Sequence, residues 1–104
     1  MFRAVAVLTI LATELPARGA GISDAEALVI VQKHCVMCHA VKPAHESFQE
    51  APKNVTLETI AEIRKEAAAV YTQTVQTKAM PLGNQTAMTD DERNALGRWL
   101  KGMP

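Results

Sequence analysis

The chain has 104 residues, with eleven basic and eleven acidic side chains and a net charge of zero. That length makes one small domain with a modest core, and the balanced charge excludes both the basic excess of a nucleic-acid binder and the acidic tract of a disordered tail. Aromatic residues are only 4% of the chain (Phe2, Phe48, Tyr71 and Trp99), so few large side chains are available to fill that core.

Residues 1–21 read as a targeting or anchoring segment. Met1-Phe2-Arg3 is a short, weakly positive start, and Ala4 to Ala12 is an apolar stretch within the roughly 7–15 residues of a signal-peptide core. Ala17, Gly19, Ala20 and Gly21 supply the small residues that a signal peptidase reads, with cleavage after Gly19 or Gly21. Glu14, Pro16 and Arg18 interrupt the run, which is well short of the roughly 20 apolar residues that span a bilayer. Two other readings stand beside this one: an uncleaved anchor, or the trimmed end of a last transmembrane helix in a longer protein. Cleavage after Gly21 removes two of the eleven bases, Arg3 and Arg18, and one of the eleven acids, Glu14, which leaves a net charge of −1. Residues 22–104 are then the folded domain.

The first helix is expected to start at Ser23. Ser23 and Glu26 have the spacing of a capping box, and Asp24 suits the positive helix end. Ala27, Leu28, Ile30 and Val31 form its apolar face, and the helix delivers Cys35. There the sequence reads Cys35-Val36-Met37-Cys38-His39, the C-x-x-C-H attachment signature of a c-type haem. Two thiols three residues apart on one turn can each bond a vinyl group of the same porphyrin. The histidine after the second thiol then falls beneath the iron and supplies an axial nitrogen. Three other uses of the cysteines are weighed against it. A redox dithiol needs a βαβ context, and no convincing strand is read anywhere. A zinc site needs four ligands; Cys35, Cys38 and His39 supply three, with His34 or His45 as a fourth, but the adjacent Cys38 and His39 do not close easily on one tetrahedral ion. A disulfide between Cys35 and Cys38 closes a very short strained loop. A covalent porphyrin would also repair the shortage of large apolar side chains. Because bacterial haem c is attached outside the cytoplasm, the location expected is periplasmic, or outward-facing at the inner membrane.

Ala40 to Val55 is an irregular connection, since Pro43 and Pro52 forbid a regular helix and Ala51-Pro52-Lys53-Asn54 reads as a turn. Phe48 is expected against the porphyrin or a helix. His34 and His45 are read as surface histidines; His45, six residues after His39, is too near to cross to the opposite haem face. A second helix is expected from a Thr56 N-cap, with Leu57, Ile60, Ile63, Ala67, Val70, Tyr71 and Thr74 at helical steps and a break near Glu66. Glu58, Glu62 and Glu66 read as a solvated acidic stripe, and Tyr71 as a polar tip toward a propionate.

Lys78-Ala79-Met80-Pro81-Leu82-Gly83-Asn84 is a loop punctuated by Pro and Gly. The iron needs a sixth ligand, and Met80 is assigned to it, in line with the Met/His pairing of cytochromes c. Met88 is the rival, although it precedes a helix cap, where an apolar side chain usually packs on the helix it introduces. Met37 lies inside the attachment turn and Met103 is terminal. The last helix has a second capping box, Thr89 with Glu92, and Leu96, Trp99 and Leu100 as its buried face. Gly97 costs about 1 kcal/mol there relative to Ala, and close approach of the first helix is the expected reason. Lys101 and Gly102 end it.

Three to four helices, C-x-x-C-H after the first, a Met-Pro loop before the last and an aromatic on the last resemble a small class I cytochrome c over residues 23–102. The resemblance implies an all-α fold around one covalent haem c, with the first and last helices crossing near Gly97 and Trp99 and one haem edge exposed. Ala51-Pro52-Lys53-Asn54-Val55, Met80-Pro81-Leu82-Gly83-Asn84, Thr86, Met88-Thr89 and Glu92-Arg93 look like the C-terminal cytochrome c domain of bacterial membrane-bound urate oxidases. In that family a multi-helix membrane domain oxidises urate and the haem domain passes electrons on. The membrane domain is absent from this sequence, which leaves a separate carrier or a truncated reading of a longer gene. The function expected is one-electron transfer by a monomer among respiratory redox proteins, with a urate-oxidising membrane domain as the special partner and no catalytic residue of its own. A five-coordinate haem enzyme or sensor is the competing class. Lys33, Lys42, Lys53 and Lys78 flank the haem-contacting segments, either as a ring that steers an acidic partner or as scattered surface charge.

Overall fold

A computed structural model describes residues 21–103, so the leader or anchor expected over 1–21 lies outside the described residues except for Gly21. Four α-helices carry the regular structure: α1 (Asp24–His34), α2 (Ile60–Lys65), α3 (Ala67–Tyr71) and α4 (Asp90–Lys101). A π-helical turn, Thr72–Gln76, prolongs α3, and single 3-10 turns stand at Pro52–Asn54 and Leu82–Asn84. No strand occurs among the described residues, so the fold is all-α as expected. None of their helices is long and apolar enough to cross a membrane.

Both expected capping boxes form. Glu26 N–H donates to Ser23 Oγ at 3.1 Å while Ser23 N–H donates to Glu26 Oε1 at 2.8 Å. Thr89 and Glu92 repeat the exchange at 3.0 and 2.9 Å. Each box satisfies two of the amide donors a helix start leaves open. α1 and α4 pack on each other, and α4 also lies against α3 and the π-helical turn. Ala27 and Val31 of α1, Ile63 of α2, Val70 of α3 and Leu96 and Leu100 of α4 meet in the core. Trp99 closes the crossing at its far end, where its indole Nε1–H donates to Asp24 Oδ1 at 2.9 Å.

Three expectations are corrected. The second helix is capped by Thr59, not Thr56, because the stretch before it is held extended: Leu57 N–H donates to the His39 carbonyl at 2.8 Å, and the Val55 carbonyl accepts from the His39 ring. Glu58 therefore precedes the helix and the acidic stripe does not form. Glu58 Oε1 instead accepts from Val41 N–H at 3.0 Å, and Glu62 accepts from the Thr56 hydroxyl and from Glu58 N–H, both at 2.8 Å. The break at Glu66 is present: its φ of −107° and ψ of 17° leave the helical basin between α2 and α3. Finally, a Cβ at Gly97 would lie 3.1 Å from Val75 Cγ2 and 3.5 Å from Tyr71 Cε2. The close neighbour at Gly97 is the α3 segment rather than α1.

Candidate functional site

The end of α1, the turn after it, the 45–55 loop, α3 and the methionine loop enclose a cavity of about 610 Å³, within the roughly 300–1,000 Å³ usual for cofactor sites. Cys35, Cys38, His39 and Met80 all stand on its wall. Cys35 caps α1 through its N–H to the Val31 carbonyl at 2.8 Å, and the Cys35 carbonyl then accepts from Cys38 N–H at 3.2 Å and His39 N–H at 2.9 Å. That tight turn is what brings two thiols and an imidazole to one surface.

The thiols are not bonded to each other. Burial, and then the charge of Cys38, push the Cys35 thiol up to about 12, and burial also raises Cys38. A reactive dithiol requires the opposite shift. Among the described residues no group of three or more His, Cys, Asp or Glu side chains is arranged to hold a metal ion, so a zinc site lacks its donor set.

His39 Nδ1–H donates to the Val55 carbonyl at 2.8 Å. A carbonyl only accepts, so this bond fixes the tautomer and leaves the lone pair on Nε2, the arrangement of a metal-binding imidazole. Met80 is half-buried; its N–H donates to the Gln73 carbonyl at 2.9 Å and its carbonyl accepts from Arg93 Nη1–H at 2.8 Å. Met88 is 4% exposed and packs in the helical core away from the cavity wall. The Asn84 side chain brackets it, accepting from Met88 N–H at 2.9 Å and donating to the Met88 carbonyl at 3.1 Å.

Of the other histidines, His34 is not a surface residue. Its side chain is fully buried, with Nε2–H donating to Glu92 Oε1 at 2.9 Å and Nδ1 sharing a hydrogen bond with the Thr86 hydroxyl at 2.7 Å. Its partners lie 52 and 58 residues away, beyond any local pattern. His45 is half-buried at the cavity edge; Nδ1 accepts from Ser47 N–H at 3.0 Å, Nε2–H donates to Gln85 Oε1 at 3.2 Å, and the ring lies 5.5 Å from that of Phe48. Phe48 lines the cavity as expected, but Tyr71 does not; its ring lies near Gly97 and under the Lys101 ammonium at 5.2 Å. Of the four lysines considered as a ring, Lys53 lines the cavity, while Lys33 pairs with Glu92 at 3.3 Å and Lys78 with Asp90 at 3.8 Å.

Sequence reading gives no role to Arg93, a buried cation 5% exposed behind the methionine loop. It enters only through the Glu92-Arg93 pair of the resemblance, and an arginine one step after a capping glutamate is ordinarily a solvated charge.

The residues present fit a covalently held haem. The lining is mostly apolar, two unpaired thiols and an oriented imidazole share one turn, and a thioether reaches the same cavity from a separate loop. No curated protein and no solved structure matches the chain. The cytochrome c family model matches residues 22–104. With that match running over well more than half its length, the chain belongs to the cytochrome c family.

Proposed function

We propose that this cytochrome c works as an exported one-electron carrier with its single haem c iron held between His39 and Met80. Membership of the family makes it a haem electron-transfer protein with covalently attached haem c. When bound, haem c supplies the Fe(III)/Fe(II) couple. The remaining work belongs to the chain. Cys35 and Cys38, two free thiols on the cavity wall, would hold the porphyrin through thioether links to its vinyl groups. His39 offers Nε2 because Nδ1–H is committed to Val55. Met80 offers its sulfur, and a thioether favours Fe(II), which raises the potential. His39 and Met80 together would leave no open position on the iron for a small molecule.

The observation that carries this reading is the single cavity lined by Cys35, Cys38, His39 and Met80, which Met88 does not join. Ligand replacement tests it. Met80→Ala is expected to abolish the ferric thioether-to-iron charge-transfer band, lower the reduction potential and open the iron to added imidazole. Met88→Leu is expected to leave band and potential in place. An unchanged spectrum and potential in Met80→Ala overturns the Met80 assignment and moves the protein toward the enzyme or sensor class.

Export rests on the leader-like pattern of residues 1–21 together with haem attachment outside the bacterial cytoplasm. The partners are redox proteins on either side of the haem. A second reading is favoured by the Ala51–Val55 and Met80–Asn84 stretches: a haem domain that receives electrons from a membrane-embedded urate-oxidising domain. The two readings differ in the mass and the fraction in which the covalent haem is found.

A further inference from the structure

We infer that Arg93 is a positioning residue for the axial thioether, a buried guanidinium that fastens the backbone of Met80 to the π-helical turn. The inference rests on Met80 being an axial ligand. Arg93 Nη1 donates both to the Thr74 carbonyl at 2.7 Å and to the Met80 carbonyl at 2.8 Å. Nη2 points to Asn84 Oδ1, further along the same loop, at 3.5 Å. Among the described residues no carboxylate pairs with this guanidinium. Its charge is compensated by backbone and amide oxygens, so those acceptors are held tightly: a buried cation that loses one has no water to replace it.

The far side of the clamp is firm. Thr74 is 2% exposed and its hydroxyl donates to the Val70 carbonyl at 2.7 Å, so the carbonyl that anchors Arg93 belongs to a buried residue of a helical segment. The near side is the loop. Met80 N–H reaches back to the Gln73 carbonyl at 2.9 Å, so the peptide groups on both sides of the Met80 Cα are fastened to residues 73 and 74, directly or through Arg93. The Met80 side chain is left for the cavity it lines. The planar fork of arginine serves two oxygens in fixed directions, which a lysine ammonium on the same stem does not reproduce.

Imidazole competes with the thioether for the ferric iron, so its apparent affinity reports the fraction of molecules with the methionine detached. In haem-loaded Arg93→Gln we expect that affinity to rise at least tenfold and the ferric thioether band to weaken. Arg93→Lys should fall between Gln and the wild type, and Arg98→Gln, an exposed arginine on the same helix, should match the wild type. A folded Arg93→Gln whose band and imidazole affinity stay within twofold of wild type overturns the inference, even if its melting temperature falls, because a merely structural role lowers stability alone. Should Arg93→Gln fail to take up haem, Arg93→Lys is read by the same two signals, and wild-type values there overturn the inference equally. Met80→Ala separates the two levels. If it leaves the imidazole affinity unchanged, the ligand reading has failed; if it raises the affinity and Arg93→Gln does not, the role of Arg93 alone has failed.

Discussion

The carboxylate of Glu92 accepts hydrogen bonds from Thr89 N–H and from His34 Nε2–H, both at 2.9 Å, and from the Lys33 ammonium at 3.3 Å. Partial burial acts upward on its pKa, but the Thr89 amide, His34 and Lys33 outweigh it and bring the carboxyl down from 4.5 to about 2. A carboxyl lowered by folding contributes stability that is whole above its unfolded value and lost as the pH falls through its folded one. The window for Glu92 is therefore pH 4.5 down to about 2. Melting temperatures followed across that window should fall more steeply for the wild type than for Glu92→Gln, which lacks the titrating group; parallel curves would show that the depressed pKa is not linked to folding. Glu62, lowered first by the Thr56 hydroxyl, adds its own slope to both proteins. The same carboxylate explains why His34 was misread as exposed. Nothing near position 34 announces a buried imidazole; its burial depends on Thr86 and Glu92 arriving from the far end of the chain.

Among the elements, what was readable in the sequence follows the range of the interactions that set each boundary. α1 and α4 start where their Ser/Thr and Glu residues lie three apart, because a capping box is complete within one turn. The start of α2 was misplaced because it is set by bonds from His39 to Val55 and Leu57, which link the attachment turn to a stretch 16 residues or more away. Gly97 was readable as a close approach, though not as an approach of α3 rather than α1. Its test follows from the 3.1 Å separation between a Cβ there and Val75 Cγ2. Gly97→Val forces two further methyl groups against Val75 and Tyr71 and should lower stability by about 1–3 kcal/mol in thermal or urea unfolding. Gly97→Ala should be close to neutral, since about 1 kcal/mol of helix propensity offsets a small shift of Val75. A Gly97→Val protein as stable as wild type would mean that α4 and the π-helical turn are not closely packed there.

For the molecule as a whole, the lining of the cavity was more legible than the scaffold around it. Cys35, Cys38 and His39 are neighbours in sequence, so their meeting on one turn is read from five residues, and Met80 stands in a loop whose Pro and Gly mark it; all four line the cavity. Arg93 was not legible, because only packing converts a charge on a helix into a buried clamp. A small helical core borders a 610 Å³ cavity, and covalent haem would supply the large apolar body that four aromatic residues do not. Whether that body belongs to a free carrier is decided by mass. On a denaturing gel stained for haem peroxidase activity, a carrier should give a small soluble band near the 11.3 kDa of the polypeptide, raised by the haem and lowered by any loss of the leader. Stain confined to a much heavier membrane band would instead make this chain the haem domain of a larger oxidase.

Asp24 ties the start of α1 to two other helices. One of its carboxylate oxygens accepts from Trp99 of α4 and the other from Arg64 of α2, at 2.9 and 3.3 Å. The attachment turn begins at the opposite end, eleven residues or about 16 Å along the axis. The bonds of Asp24 fix the start of α1 a full helix length from the cavity and from the turn that carries His39.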